Sequence, residues 1–181
     1  MSQATARLWA AKIGQLAELR MRLDTVSPLY PLTVPKLAAT PADVAATEQR
    51  LGRPLDAQHA ELLTFINGWD SMFGDISLLS LDHLGRSDLW RTGDMLLGYL
   101  YGEPPPGLPP REELDIIAVS QSQEDVFAVW RGGQLTDGGH PVIWFASELV
   151  ETQDNVYEWL GAIIQYTERR LDRLRAAAER P

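Results

Sequence analysis

Residues 40–69 constrain the fold most, because they encode two short helices whose ends are set by capping residues. Thr40 is a preferred N-cap, since its hydroxyl can accept a hydrogen bond from a free amide of the first turn, and Pro41 suits the first helical position. Gly52 favours a left-handed exit from the helix, and Pro54 prevents its continuation. The pattern therefore predicts a helix that begins after Thr40 and ends before Gly52.

A second helix is predicted to begin after Asp56, whose carboxylate can cap its first turn. Helical spacing places four residues on its core-facing side: His59, Leu62, Leu63 and Ile66. We expect this helix to end at Gly68. Asn67-Gly68 is also typical of a β-hairpin turn, but the helical period that precedes it favours a helix end.

The two ends of the chain each predict a longer helix. Apolar residues recur every three or four positions over residues 4–24, and residues 25–39 contain prolines that indicate an extended connector. A second apolar stripe runs from Val156 to Leu174, so a helix is expected to extend to about residue 178, with Asp154 as its N-cap. We expect the two helices to pack together or on a sheet.

The middle of the chain predicts β-structure. Residues 115–119 and 126–131 are rich in β-branched and aromatic residues. Both faces of the second segment are largely apolar, which is typical of a central strand covered on both sides. Residues 142–145 are predicted to return as its antiparallel neighbour. Residues 76–84 fit a strand or a turn, and residues 86–101 fit a helical turn followed by a strand.

These elements predict an α+β fold, in which an antiparallel sheet of four to six strands is flanked by helices, with an extra N-terminal helix and a long C-terminal helix. The proposed division is residues 1–39, the N-terminal helix and its connector, and residues 40–181, a single globular unit that includes the C-terminal helix. Residues 103–110 are predicted to form a stiff surface loop because they are rich in proline. Binding of this loop to an aromatic groove of another protein is the alternative.

The formal charge of −9 is unevenly distributed along the chain. Residues 1–40 hold five basic and two acidic residues, and residues 161–181 hold five and three. Residues 41–160 hold six arginines and twenty acidic residues, which is a net charge of −14. A body this acidic repels nucleic acid and favours a basic partner, although surplus acid also serves solubility alone.

Few residue patterns in this chain point to catalysis or to a cofactor. No cysteine is present, which excludes a disulfide framework, a thiolate nucleophile and a cysteine-based zinc site. His59 is predicted to fill the core and His140 to be structural, whereas His83 with Asp82 could hold a metal. No phosphate-binding glycine loop and no nucleophile elbow occurs. We therefore expect no catalytic residue, metal site or cofactor.

The candidates for partner binding are two tryptophans and six acidic residues. Trp69 and Trp90 could anchor a protein interface, because interface hot spots favour tryptophan, although burial is the default expectation for both. The acidic candidates are Asp70, Asp75, Asp82, Asp88, Glu112 and Glu113. The aspartates between residues 70 and 94 also leave a glycosidase-like carboxylate pair, and hence a hydrolase, as an alternative.

Short motifs follow one another in a fixed order over about residues 40–166. In sequence order they are Glu48, Leu51-Gly52, Pro54-Leu55, Leu62-Leu63, Asn67-Gly68-Trp69, residues 78–81, residues 140–144 and residues 156–160. This order resembles the SUKH superfamily, the Smi–Knr-like proteins known mostly as bacterial immunity proteins. Two positions depart from the family pattern: Asp56 stands where proline is common, and residues 122–125 replace a Gly-Asp entry to a strand. The resemblance implies an α+β fold and a protein that occludes a cognate toxin domain.

The leading hypothesis is therefore a non-enzymatic protein-binding domain, an immunity protein that binds and occludes a basic toxin effector domain. The acidic body supports this hypothesis independently, since such a surface complements a cationic cleft and speeds encounter. The alternative is an intracellular regulatory or scaffold protein of the same fold, which binds through its N-terminal helix and proline-rich loop. Without a signal-like segment or a membrane-spanning apolar run, the chain is expected to be cytoplasmic, free of membrane contact, and a monomer or weak homodimer.

Overall fold

Across residues 3–104 and 106–178, which the computed structural model describes, the chain forms five α-helices and six β-strands. The helices are α1 (Gln3–Val26), α2 (Pro41–Leu51), α3 (Ala57–Leu63), α4 (Asp88–Leu100) and α5 (Val156–Ala178). The strands are β1 (Trp69–Phe73), β2 (Ile76–Leu78), β3 (Leu114–Ser120), β4 (Val126–Trp130), β5 (Val142–Phe145) and β6 (Leu149–Gln153). The predicted α+β class is confirmed.

All six strands form one antiparallel sheet in chain order, so that each strand pairs with the one that follows it. β3 and β4 lie at its centre and are buried on both faces, as predicted for β4 alone. Because the sheet is a meander, its turns alternate between its two ends. The β1–β2, β3–β4 and β5–β6 turns share one end, which we call the turn end and define by residues 74–75, 121–125 and 146–148.

Helices cover both faces of the sheet. On one face α1, α3 and α5 bury a cluster that includes Trp9 of α1, Leu62 of α3 and Trp159 of α5. On the other face α2 and α4 bury a second cluster that includes Val44 and Leu97. The two clusters place apolar side chains on both sides of the central strands, which accounts for the largely apolar sequence of β4.

The N-terminal helix belongs to the core of the molecule. α1 packs along α5, as predicted, and Trp9 is 1% exposed. The indole Nε1 of Trp9 donates a hydrogen bond of 2.9 Å to the Glu61 carboxylate, which ties α1 to α3 as well. The proposed boundary between residues 39 and 40 stays a prediction.

The predicted capping chemistry of the two short helices is confirmed. The Thr40 side chain accepts from the Asp43 amide at 3.2 Å, and the Asp43 carboxylate accepts from the Thr40 amide at 2.9 Å, which completes a capping box. Gly52 ends α2 in the left-handed conformation, at φ 70. The Asp56 carboxylate accepts from the Gln58 amide at 3.0 Å at the start of α3.

α3 ends at Leu63, so its predicted end at Gly68 is wrong. Gly68 instead turns the chain into β1 with φ 93, and a Cβ on it would lie 2.9 Å from the Ser80 amide nitrogen. The side-chain oxygen of Asn67 accepts from the Leu81 amide at 2.9 Å. Asn67-Gly68 therefore allows the chain to pack closely against residues 80–81. The local helical period does not predict this contact.

α4 is a single helix, so the strand predicted for the second half of residues 86–101 is wrong. The Ser87 hydroxyl caps it by accepting from the Trp90 amide at 3.0 Å. Leu96, Leu97 and Leu100 suggested a strand, but at helical spacing all three contact the cluster beneath α4.

Two further differences concern the edge strands of the sheet and the start of α5. Strands β1 and β6 were not predicted. The N-cap of α5 is Asn155 rather than Asp154, because the Asn155 side-chain oxygen accepts from the Glu158 amide at 2.9 Å. A hydrogen bond of 2.7 Å from the Tyr101 hydroxyl to the Pro109 carbonyl holds the proline-rich loop, whose residue 105 lies outside the described residues.

Among the described helices, none combines the length and apolar character that crossing a membrane requires.

Candidate protein-binding surface

The two tryptophans proposed as interface anchors differ in their exposure. Trp69 is 1% exposed in β1, and its Nε1 donates to the Thr33 carbonyl at 3.3 Å. The anchoring role of Trp69 is therefore corrected: a partner cannot reach it in this conformation, and it belongs to the core. Trp90 is partly buried on α4 and packs against the cluster beneath that helix. Its role in binding stays a prediction.

Three of the six proposed carboxylates already have a cationic partner within the chain. The pairs are Asp70–Lys36 at 2.8 Å, Asp82–Arg86, and Asp88–Arg91 at 2.6 Å. All three are largely exposed, so each contributes little to stability. The neighbouring cation also offsets much of the electric field of each carboxylate. The carboxylate therefore attracts a distant cationic partner less strongly.

The other three proposed carboxylates do not form one patch. Asp75 lies in the β1–β2 turn and accepts from the Ser122 amide at 2.7 Å. Glu112 and Glu113 precede β3 at the opposite end of that strand, and the Glu113 carboxylate accepts from the Trp130 Nε1 at 2.9 Å. The six candidates are thus distributed over both ends of the sheet.

Five of the six arginines of residues 41–160 pair with an aspartate within the chain, so most of the positive charge in this segment already lies beside a carboxylate. Arg86, Arg91 and Arg111 pair with aspartates of α4 or of the turn before it, and Arg53 and Arg131 both bind Asp115. Arg50 donates to the carbonyls of Leu81 and Leu84 at 2.7 and 2.6 Å. The carboxylates without such partners therefore determine where the surface is most negative.

Two such carboxylates line a cleft of about 430 Å³ between the second half of α4 and the turn end of the sheet. Its floor is apolar and consists of Leu97, Val126 and Phe145, which are 1%, 1% and 3% exposed. Its walls are Leu96, Tyr99, Leu100, Glu103, Gln123, Glu124 and Ser147. A cavity of this size lies within the range of small-molecule binding sites.

Two carboxylates line this cleft, and two more lie in the turns beside it. Glu103 and Glu124 are lining residues, whereas Asp125 and Glu148 lie in the turns, and the Asp125 carboxylate bonds to Trp144 on the opposite face of the sheet. No lysine or arginine lies within ion-pair distance of these four residues in the part of the chain that the structure describes. Arg170, on the opposite face of the sheet, approaches Gly74 at the turn end. The cleft is therefore both apolar and acidic.

Two strained turns shape the rim of the cleft. Gln123 and Ser147 both have φ 63, in the left-handed region that non-glycine residues rarely adopt. Each such conformation costs about 1–3 kcal/mol. The Ser120 hydroxyl holds the first turn by accepting from the amides of Glu124 and Asp125 at 2.9 and 2.8 Å. Burial raises the pKa of Asp125, whose carboxylate accepts from the Trp144 Nε1 at 2.7 Å.

The histidines have structural surroundings. His140 Nδ1 lies 2.9 Å from the Asp56 carboxylate, and the His140 amide donates to the same oxygen at 2.9 Å. His59 is 2% exposed, and burial lowers its pKa to about 4. Burial also lowers the pKa of His83, which sits near Asp82 and Lys36. Within residues 3–104 and 106–178, no group of three or more histidine, aspartate or glutamate side chains is placed to hold a metal ion.

Sequence reasoning missed the lining of the cleft. Glu103 and Glu124 come from loops that are distant along the chain, and α4, which brings them together, was partly predicted as a strand. One signal was present: residues 122–125 carry two acidic residues and no basic residue directly before a predicted strand. These residues form the turn that supplies one wall of the cleft.

The comparisons with known proteins do not identify a relative. No known protein-family model matches the sequence. No curated protein matches it either.

Proposed function

We propose that this chain is a non-enzymatic protein-binding domain that neutralises a basic toxin domain by binding and occluding it. The observation that carries the proposal is the uncompensated acid around an apolar cleft at the turn end of the sheet. The resemblance of residues 40–166 to the SUKH superfamily supports the same function. On this proposal the protein acts in the cytoplasm of a bacterium.

Electrostatics and apolar contact have separate roles in such a complex. Surface carboxylates steer a cationic partner toward the acidic body and raise the association rate. Burial of apolar surface at the centre of the contact then slows dissociation, since hot spots lie in desolvated pockets. The cleft and its carboxylates offer both properties at one place.

Co-expression with the product of the neighbouring gene tests this function. We expect that protein, or its C-terminal domain, to arrest growth when it is produced alone and to be tolerated when this chain is produced with it. The two proteins should also elute together in size-exclusion chromatography. Growth arrest that persists in the presence of this chain, with no common elution, contradicts the proposed function.

A regulatory or scaffold role is the second candidate, and a different surface favours it. The connector between α1 and α2 exposes four large aliphatic side chains: Leu29 (68%), Leu32 (47%), Val34 (77%) and Leu37 (92%). Exposed apolar surface of this kind is typical of contact sites.

The scaffold role is tested by point substitution, because deletion of residues 1–39 removes core residues of α1 together with the connector. A Val34→Ser/Leu37→Ser variant keeps α1 intact. If this variant loses the partner while the charge variants described below retain it, the connector is the binding site and the scaffold role is favoured.

A further inference from the structure

We propose that the cleft between α4 and the turn end binds an arginine side chain presented by the partner protein. The inference rests on the proposed function for the nature of the partner, but the chemistry of the site stands on the geometry of the cleft. It identifies the kind of residue that the partner must insert and the residues of this chain that receive it.

The floor of the cleft suits the aliphatic stem of a long side chain. Leu97, Val126 and Phe145 form an apolar base beneath the opening. Arginine and lysine bury their methylene groups along apolar surface and keep the charged head near water or a counter-ion. A purely apolar side chain would contact this floor but would leave the nearby carboxylates without a cationic partner.

The walls of the cleft suit the charged head. Glu103 and Glu124 line the cleft without an arginine or lysine partner among the described residues, whereas Asp82 and Asp88 elsewhere are paired. Charge complementarity therefore requires a cation. A carboxylate or phosphate in the same place would meet only like charge and be repelled.

Arginine fits the walls better than lysine does. Its planar guanidinium can bond carboxylates with two parallel hydrogen bonds and can stack on an aromatic ring. Tyr99 supplies such a ring at the rim and is 75% exposed. Arginine is also enriched among the residues that dominate binding energy at protein interfaces.

A partner-independent titration tests the site directly. The probe is N-acetyl-argininamide, and the neutral isostere N-acetyl-citrullinamide is its control. Two-dimensional amide NMR of the full chain should show saturable shifts at residues 99–103, 123–126 and 145–147 with the arginine probe. We expect the citrulline probe to bind at least about fivefold more weakly, because it lacks the positive charge.

Matched variants assign the effect to the cleft. Glu103→Gln/Glu124→Gln removes two charges from the walls, and Asp82→Asn/Asp88→Asn removes two charges outside the cleft. The first variant should weaken binding of the arginine probe at least about fivefold, and the second should change it less than about twofold, since its carboxylates are paired and distant. All four residues lie at the surface, and circular dichroism checks that both variants fold.

The proposal is overturned if no saturable shift occurs at the cleft, if the citrulline probe binds as tightly as the arginine probe, or if the two variants weaken binding equally. In the complex with the co-expressed toxin domain, Glu103→Gln/Glu124→Gln should accelerate dissociation at least about tenfold. If this substitution leaves the dissociation rate of the toxin complex unchanged, the arginine site is overturned and the proposed function stays intact. A chain that binds the arginine probe but no toxin retains the site and loses the proposed function.

Discussion

His59 lies on the buried face of α3, and its Nε2 has no hydrogen-bond partner among the described residues. Burial lowers its pKa from 6.5 to about 4, against the attraction of Asp56 and Asp115. The imidazole is therefore neutral in the folded protein at neutral pH. Its place on an apolar helical face was predictable from spacing, whereas the carboxylate of Asp115 reaches it from a distant strand.

The titration of His59 predicts a loss of stability in mild acid. Between pH 6.5 and about 4 the unfolded chain binds more protons at this residue than the folded chain, so the free energy of unfolding falls as the pH decreases through this window. The full loss is on the order of 3 kcal/mol. In His59→Leu the decrease should be smaller than in the wild type, as measured by urea unfolding at the two ends of the window.

His83→Gln is the control for this prediction, because His83 is only partly buried. It should keep most of the wild-type dependence on pH. If His59→Leu loses as much stability in mild acid as the wild type does, the buried neutral histidine is not the cause.

Gln123 and its neighbour Ser122 offer a paired test of backbone strain at the cleft. Gln123 has φ 63 and Ser122 does not have a positive φ. Gln123→Gly should stabilise the protein by about 0.5–1 kcal/mol, because glycine adopts the left-handed region without steric cost. Ser122→Gly should destabilise it by a similar amount, because it only increases the freedom of the unfolded chain. Equal effects of the same sign in thermal unfolding would show that the turn is unstrained.

At the scale of the elements, local chemistry and tertiary contact determine different boundaries. α2 could be predicted at both ends, because Thr40, Asp43 and Gly52 act within one or two turns of the helix. The end of α3 could not, because Gly68 is required by its approach to Ser80, which lies in a segment after β2. Local sequence patterns therefore predict helix caps well, but they predict close contacts between distant segments poorly.

Two glycines of different surroundings test this account of Gly68. Gly68→Ala should destabilise the protein by more than about 1 kcal/mol, since its φ is 93 and the new Cβ would meet the Ser80 backbone. Gly98→Ala, in α4, meets open space and should stabilise by about 0.5–1 kcal/mol. Denaturant unfolding measures both. If Gly68→Ala leaves the free energy of unfolding unchanged, the close approach to Ser80 does not require glycine at this position.

α4 shows why the cleft could not be predicted from the sequence. Leu96, Leu97 and Leu100 fit a strand as well as a helix over so short a stretch. Only the capped helix from Asp88 to Leu100 places these residues opposite β4 and β5, and only then does Glu103 lie near Glu124. The acidic composition was predictable, but the placement of Glu103 and Glu124 at one cavity was not.

At the scale of the whole molecule, the charge that matters is the charge left after internal pairing. The net charge of −14 over residues 41–160 could be counted from the sequence. Spacing alone would also have suggested the pairs Asp82–Arg86 and Asp88–Arg91, which lie three or four residues apart. The Asp70–Lys36 pair joins the connector to β1 and depends on the fold.

The kinetics of association with the neighbouring toxin domain test most directly whether this residual acid draws in a cationic partner. Stopped-flow measurements of the wild type and of Glu103→Gln/Glu124→Gln would span about 20 to about 500 mM salt, over which the Debye length shortens several-fold. The wild-type association rate should fall at least about tenfold over this range, and the variant should start lower and fall less. A wild-type association rate that does not change with salt contradicts the account.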